Sequence, residues 1–182
     1  MKLENHPEFR SIVELIISQN ALQKKRIEGF IENQDQTYWN FCESLSKTLN
    51  EGFLISENDR AEAARAYNKM CMDFLREQIK FKKTGQYSIQ DSKVAEANVY
   101  NDINVMRYYM LGLLLSYMLW PNHYKLYRFL IDNLPSKETS KFLEVGVGHG
   151  LFSSTILKMI PGITGTCVDI SDTSIKIAQA IL

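Results

Sequence analysis

The sequence has no surplus charge of either sign and no long basic run. Its 21 lysine and arginine residues are balanced by 21 aspartate and glutamate residues over 182 positions, which gives a formal net charge of zero. Proteins that bind DNA or RNA present a basic surface, because lysine and arginine neutralise the phosphates. The densest basic cluster, Lys80, Lys82 and Lys83, lies near the end of a predicted helix, where it complements the helix dipole. We therefore expect no nucleic-acid partner.

Cysteine is scarce, and no residues have the spacing of a metal site. Cys42, Cys71 and Cys167 are odd in number and far apart, and neither a C-x-x-C motif nor a neighbouring Cys/His pair accompanies them. This pattern predicts neither a disulfide framework nor a zinc site. We expect no bound metal and a cytoplasmic location.

Long hydrophobic runs are also missing. The most apolar segment, residues 105–120, contains Arg107 and ends at Pro121, whereas a membrane-spanning helix needs about 20 apolar residues. The first residues are polar and include Pro7, unlike a signal peptide. With 45% hydrophobic residues, the composition predicts a soluble globular protein in which segment 105–120 is a buried central helix.

Apolar residues recur at helical spacing as far as residue 133. Ser56 and Asp59 have the spacing of a capping box, which places the start of a long helix there. Between Leu134 and Lys141 the periodicity changes from helix to strand. We therefore expect a helical domain over residues 1–135 and a second domain over residues 141–182. The predicted helices cover residues 7–17, 22–32, 37–49, 56–85, 92–119 and 122–133.

Residues 141–150, K-F-L-E-V-G-V-G-H-G, are the most informative part of the chain. They begin as a short apolar strand with Glu144 near its carboxyl end, where open α/β sheets bind their ligands. The hydrophobic run predicts a strand that is buried on both faces. Its apolar members are Phe142, Leu143 and Val145.

Three glycines follow the strand at alternate positions, Gly146, Gly148 and Gly150. Glycine adopts positive φ angles readily and lets the backbone approach a ligand closely. A helix is predicted from Leu151, so its N-terminal N–H groups point into the loop. A dinucleotide-binding fingerprint would need a third glycine at the position of Leu151, and the observed G-x-G-x-G therefore favours a sulfonium nucleoside over NAD.

A second strand is predicted over residues 164–168, and it ends at Asp169. This residue lies about 20 positions beyond the loop, where an acidic side chain accepts hydrogen bonds from ribose hydroxyls. Another helix is predicted after it, with Ser171, Asp172 or Thr173 as its N-cap.

Together, residues 141–182 resemble the class I S-adenosylmethionine-dependent methyltransferases. The resemblance implies the start, β-α-β-α, of a Rossmann-like α/β core behind a mostly α-helical N-terminal domain. It implies that Asp169 holds the ribose of S-adenosylmethionine and that Ile170 lies against its adenine. The alternative is an ordinary strand-to-helix turn in an unrelated α/β protein. The residues that would line the methionine part of the cofactor are Glu144, Gly146, Gly148 and Gly150.

The family's sheet continues through several more strands, whereas this sequence stops at Leu182 inside an apolar helical pattern. We therefore expect the chain to be the N-terminal portion of a longer protein.

Helices that precede such a core commonly cover the substrate site or form a dimer interface, so the resemblance also suggests a homodimer through the helical region. The aromatic residues Tyr100, Tyr108 and Tyr109 are the candidates for substrate binding, with ordinary helix packing as the alternative. His149 has no evident acid or base partner and is interpreted as a variable loop side chain.

The main hypothesis is transfer of a methyl group from S-adenosylmethionine to a small-molecule acceptor, with no catalytic residue identified. The alternative is a catalytically inactive helical interaction or dimerisation module that carries an incomplete cofactor site.

Overall fold

The computed structural model describes residues 2–135 and 141–182, and this part of the chain is mostly helical with one small parallel sheet. A 3-10 turn (Lys2–Asn5) precedes the first helix, and a π-helical turn (Glu96–Tyr100) follows the fifth. The elements in chain order are α1 (Pro7–Gln19), α2 (Gln23–Ile31), α3 (Gln36–Gly52), α4 (Glu57–Thr84), α5 (Ser92–Ala95), α6 (Ile103–Leu119), α7 (Pro121–Asp132), β1 (Lys141–Val145), α8 (Leu151–Met159), β2 (Thr164–Val168) and α9 (Asp172–Ile181).

The centre of the fold is the pair α4 and α6, which make the most extensive helix-to-helix contact. The two backbones approach closely at Gly112, where a Cβ atom would lie 3.0 Å from the Cβ of Met70. As the sequence predicts, α6 is a buried central helix, and most of its residues from Met106 to Leu119 are buried. None of the described helices is long and apolar enough to cross a membrane.

One hydrophobic core joins the helical region to the segment that contains the glycine loop. It begins with Phe9 of α1 and extends through α3, α4 and α6 to Leu151 of α8 and Ile181 of α9. Within it the Tyr38 hydroxyl donates a hydrogen bond to the carbonyl oxygen of Met118 at 2.5 Å. The glycine loop is thus fixed against α6 by continuous packing.

The start of α4 follows the sequence prediction. The hydroxyl oxygen of Ser56 accepts a hydrogen bond from the N–H of Asp59 at 3.1 Å, and the carboxylate of Asp59 accepts one from the N–H of Ser56 at 3.0 Å. The capping box is confirmed. The helix ends at Gly85, whose left-handed conformation (φ 69°) suits glycine.

The prediction of one helix over residues 92–119 is wrong. The chain forms α5 and the π-helical turn, and a new helix then begins at Ile103. Asp102 causes this restart, because its extended backbone and its carboxylate cap α6, accepting hydrogen bonds from the N–H groups of Asn104 at 2.8 Å and Val105 at 3.1 Å.

Strands β1 and β2 pair in parallel, with Phe142 opposite Gly165 and Glu144 opposite Cys167. The prediction that β1 is buried on both faces is wrong. Leu143 and Val145 are 65% and 75% exposed, while Glu144 is half-buried and bonded to Ser153 of α8. Helix α8 therefore covers one face of the sheet, and the apolar side chains on the other face meet solvent.

Candidate functional site

The loop after β1 has the backbone conformation that its glycines predict. Gly146, Gly148 and Gly150 have φ angles of 76°, 53° and 81°. This left-handed region is costly for residues that carry a Cβ atom. The expectation of positive φ at all three positions is confirmed.

The three glycines have different surroundings. A Cβ atom at Gly150 would lie 3.0 Å from the Cα of Ala178 on α9, and one at Gly148 would lie 3.5 Å from the Met110 sulfur on α6. A Cβ atom at Gly146 would find no atom within 4 Å. Gly150 therefore allows close helix packing, whereas Gly146 borders open space that a ligand could enter.

Asp169 connects the ends of the two strands. Its Oδ2 accepts a hydrogen bond from the N–H of Gly148 at 2.9 Å, and its Oδ1 accepts one from the N–H of Ser171 at 2.9 Å. The side chain of Ser171 in turn caps α9 by accepting a hydrogen bond from the N–H of Ser174. The structure thus brings together Gly148 and Asp169, which the sequence assigned to one site.

The carboxylate of Glu144 lies on the side of the sheet that α8 covers. It accepts a hydrogen bond from the hydroxyl of Ser153, whose oxygen is also 3.0 Å from the sulfur of Cys167. Burial raises the pKa of Glu144 above its ordinary value, against the opposing effect of the hydrogen bonds from Ser153. Glu144 is therefore held in place by α8 at the start of the glycine loop.

Ile170 follows Asp169 and is 69% exposed. Its side chain offers an accessible apolar surface beside the carboxylate.

The structure does not bring Tyr100, Tyr108 and Tyr109 together around the glycine loop. The hydroxyl of Tyr108 donates a hydrogen bond to Asp73 of α4 at 3.1 Å, and the ammonium group of Lys69 lies 3.9 Å from the centre of its ring. Tyr109 packs edge-to-face against Phe74 of α4. Tyr100 ends the π-helical turn and is exposed.

His149, which the sequence analysis interpreted as a variable loop side chain, is buried, with only 5% of its surface exposed. Its Nδ1 accepts a hydrogen bond from the N–H of Leu151 at 3.2 Å, so the ring proton lies on Nε2. Burial lowers the pKa of His149 to about 3, and the nearby His123 lowers it further in the same direction. His149 is therefore neutral at pH 7 and has no free lone pair with which to act as a base.

Tyr117 of α6 is the aromatic residue that faces this loop. Its ring packs edge-to-face against His149, with 5.2 Å between ring centres, and against Phe152, with 5.4 Å. Burial raises the pKa of Tyr117 to about 12, and the negative charge of Glu144 adds to the effect. Tyr117 was not predicted from the sequence, although it stands seven residues after Met110 and a helix places such residues on one face.

Among residues 2–135 and 141–182, no group of three or more histidine, cysteine, aspartate or glutamate side chains has the arrangement to hold a metal ion. Comparison with known proteins finds no family model, no curated protein and no solved structure that matches this chain.

Proposed function

We propose that this chain binds S-adenosylmethionine at the loop after β1 and contributes to transfer of its methyl group to a small-molecule acceptor. The proposal includes a class I methyltransferase core of Rossmann-like topology, of which β1, α8, β2 and α9 would be the first elements. The observation that carries it is the hydrogen bond from Gly148 to Asp169, because it joins a glycine loop of positive φ angles to the acidic end of the next parallel strand.

The residues present fit this cofactor. Open space in front of Gly146 admits a ligand to the backbone. Each carboxylate oxygen of Asp169 accepts one hydrogen bond from the protein and has a further lone pair for a ribose hydroxyl. Helix α8 follows Gly150, and only the N–H of Leu151 in its first turn is bonded to a side chain, that of His149, so the remaining N–H groups of this turn and the helix dipole favour a carboxylate.

The chemistry requires little from the protein beyond positioning. When bound, S-adenosylmethionine would supply a methyl group that its sulfonium activates for attack by a lone pair of the acceptor, with the carbon–sulfur bond breaking toward sulfur and the acceptor's proton passing to a base or to water. The chain's own residues would align the two reactants and exclude water from them. The free thiols of Cys42, Cys71 and Cys167 suit a reducing, cytoplasmic location.

A second candidate function is that of an inactive interaction or dimerisation module. It is favoured by the uncovered face of the sheet, because contiguous exposed apolar side chains commonly mark an interaction surface. The exposed residues are Leu143, Val145, Val168 and Ile170.

Calorimetric titration with S-adenosylhomocysteine tests the proposed function. Gly146→Ala should weaken binding by about tenfold or more, because the new methyl group would occupy the open space where the ligand approaches. The matched control is Gly162→Ala. Gly162 also has a positive φ angle, 82°, and a Cβ atom there would also find no atom within 4 Å, but it lies in the turn between α8 and β2.

Equal binding by the wild type and both variants would contradict a site at Gly146. No binding by the folded wild type, together with a dimeric mass in light scattering, would favour the interaction module instead.

A further inference from the structure

A cavity lies where the helical region meets α8 and α9. Its volume is about 190 Å³, and residues of α3, α7, α8 and α9 line it. It reaches the hydrophobic core, because the lining includes the buried side chains of Leu45, Tyr124, Tyr127 and Leu151. None of the residues assigned to the cofactor lines it. The cavity and the candidate cofactor site therefore share no residue.

The interior of the cavity suits an aromatic ring. Phe41 of α3 stacks on Tyr127 of α7, with 4.1 Å between the ring centres and 28° between the ring planes, and both side chains line the cavity. Aromatic walls of this kind favour a flat, apolar ligand. Since a cavity of roughly 150 Å³ can hold benzene, this one has room for a single ring with a small substituent.

The charged residues that line the cavity are both cations. They are Arg128 of α7 and Lys158 of α8, and no aspartate or glutamate among the described residues lines it. Nη2 of Arg128 donates a hydrogen bond to Oδ1 of Asp132 at 3.0 Å, so Asp132 offsets one of the two positive charges. Lys158 forms no ion pair with any residue that the structure describes. The lining therefore carries one positive charge in excess.

Helix α3 adds hydroxyl groups to the lining. Thr37, Ser44 and Thr48 follow one another at intervals of seven and four residues, which places them on one face of the helix, and all three line the cavity. A hydroxyl group can donate a hydrogen bond to a carboxylate oxygen. Arg128 keeps further donors for such a group, because a guanidinium has five N–H bonds and Asp132 accepts only one of them.

We propose that this cavity binds a small aromatic monoanion, a carboxylate carried on a single ring. The ring lies against Phe41 and Tyr127. The carboxylate accepts hydrogen bonds from Arg128, Lys158 and the Ser44 hydroxyl. A monoanion matches the single excess positive charge, whereas a second anionic group would be left unmatched and a cation would meet Lys158.

The test is a fluorine NMR titration with 4-fluorobenzoate as the probe. The wild type should bind 4-fluorobenzoate saturably, and it should bind 4-fluorobenzamide more weakly by about fivefold or more, because this probe has the same shape without the charge. Lys158→Met removes a charge and keeps a long side chain. It should weaken 4-fluorobenzoate binding by about threefold to fivefold, as for a partly exposed ion pair, and leave 4-fluorobenzamide binding unchanged.

The matched control is Lys82→Met. It makes the same substitution at an exposed residue of α4 that does not line the cavity, so the affinity for 4-fluorobenzoate should not change.

A second pair of variants tests where the ring lies. Ser44→Trp places a large side chain in the cavity from an exposed position of α3, so it should abolish the binding of both probes. Ser11→Trp makes the same change at an exposed position of α1 outside the cavity and should leave binding as it is in the wild type. Thermal denaturation would show that both variants are folded.

The proposal is overturned if the wild type does not bind 4-fluorobenzoate saturably, if it binds 4-fluorobenzamide equally well, or if Lys158→Met and Lys82→Met have the same affinity. Wild-type binding by folded Ser44→Trp would also overturn it, because the ring would then lie elsewhere. If Ser44→Trp does not fold, Lys158→Met decides the question, since Lys158 is exposed. None of these outcomes depends on S-adenosylhomocysteine, which is absent from the titration.

Discussion

Asp169 at the end of β2 accepts a hydrogen bond from the backbone N–H of Gly148, 2.9 Å from its Oδ2. The second oxygen of the same carboxylate accepts a bond from the N–H of Ser171, the residue that caps α9. One side chain therefore fixes the glycine loop and the start of the following helix. This makes the shape of the candidate cofactor site and the stability of the fold depend on the same carboxylate.

Replacing Asp169 by asparagine should affect both properties. Asparagine offers one acceptor oxygen in place of two, so one of the two backbone N–H groups loses its bond, and the free energy of unfolding should fall by about 1–3 kcal/mol. The affinity for S-adenosylhomocysteine should fall as well, because the amide is a weaker partner for ribose hydroxyls. Urea denaturation and calorimetry would measure the two effects.

Asp172→Asn is the control for the change in charge. Asp172 is exposed in the first turn of α9, where its interaction with the helix dipole is worth about 0.3–1 kcal/mol. Equal losses of stability and affinity in the two variants would show that the Asp169 hydrogen bonds have no special role.

The close contact between α4 and α6 gives a second prediction. A Cβ atom at Gly112 would lie 3.0 Å from the Cβ of Met70 and 3.1 Å from the carbonyl oxygen of Ala66. Gly112→Ala should therefore lower the free energy of unfolding by about 1–3 kcal/mol, the usual cost of overpacking a core.

Gly29→Ala should have the opposite effect. Gly29 lies within α2, and a Cβ atom at this position would find no atom within 4 Å, so alanine should stabilise the helix by about 0.5–1 kcal/mol. Thermal denaturation of both variants would measure the difference. If both were stabilised, the helices would not be as closely packed at Gly112 as the structure has them.

Local signals in the sequence were sufficient for much of the fold. The capping box at Ser56 and Asp59 depends on residues three positions apart, and glycines at positive φ need only their immediate neighbours, so both could be recognised without a structure. The exposure of Leu143 could not be recognised from the sequence, because it depends on which elements cover the sheet. An apolar run predicts a strand but does not show what packs on each face.

The candidate site was also predictable from the sequence only in part. Gly148 and Asp169 stand in a recognisable spacing, and the structure brings them into contact. Tyr117 belongs to α6, more than twenty residues before the loop, and its position beside His149 follows from how α6 packs against the glycine loop. A helical period shows which residues share a face but not which distant loop that face meets. This is why the sequence pointed to Tyr108 as a candidate and not to Tyr117.

The role of Asp102 in starting α6, which the sequence analysis did not predict, can be tested directly. Asp102→Ala removes the carboxylate that bonds to the N–H groups of Asn104 and Val105, and it should lower the free energy of unfolding by about 1 kcal/mol. Asn101→Ala is the control, because Asn101 is exposed and its side chain makes no hydrogen bond among the described residues. Urea denaturation would measure both. Equal stability of Asp102→Ala and the wild type would indicate that the cap does not hold the helix start.

The burial of His149 predicts a loss of stability in mild acid. Its pKa is about 3 in the folded protein, against an ordinary value of 6.5 for histidine, so the unfolded chain binds one more proton between these values. The free energy of unfolding should therefore fall by up to about 1.4 kcal/mol for each pH unit below 6.5. His123, whose pKa burial also lowers, adds to this slope, whereas Glu144, whose pKa burial raises, opposes it at lower pH.

His149→Asn isolates the contribution of this residue. The asparagine oxygen can accept the hydrogen bond that Leu151 donates to Nδ1, but the side chain does not titrate. Urea denaturation between pH 7 and pH 5 should show that the free energy of unfolding of the variant depends less steeply on pH than that of the wild type. Near pH 5 the difference between the two slopes should correspond to close to one bound proton. Identical slopes would mean that His149 titrates alike in the folded and the unfolded chain, and that burial does not lower its pKa.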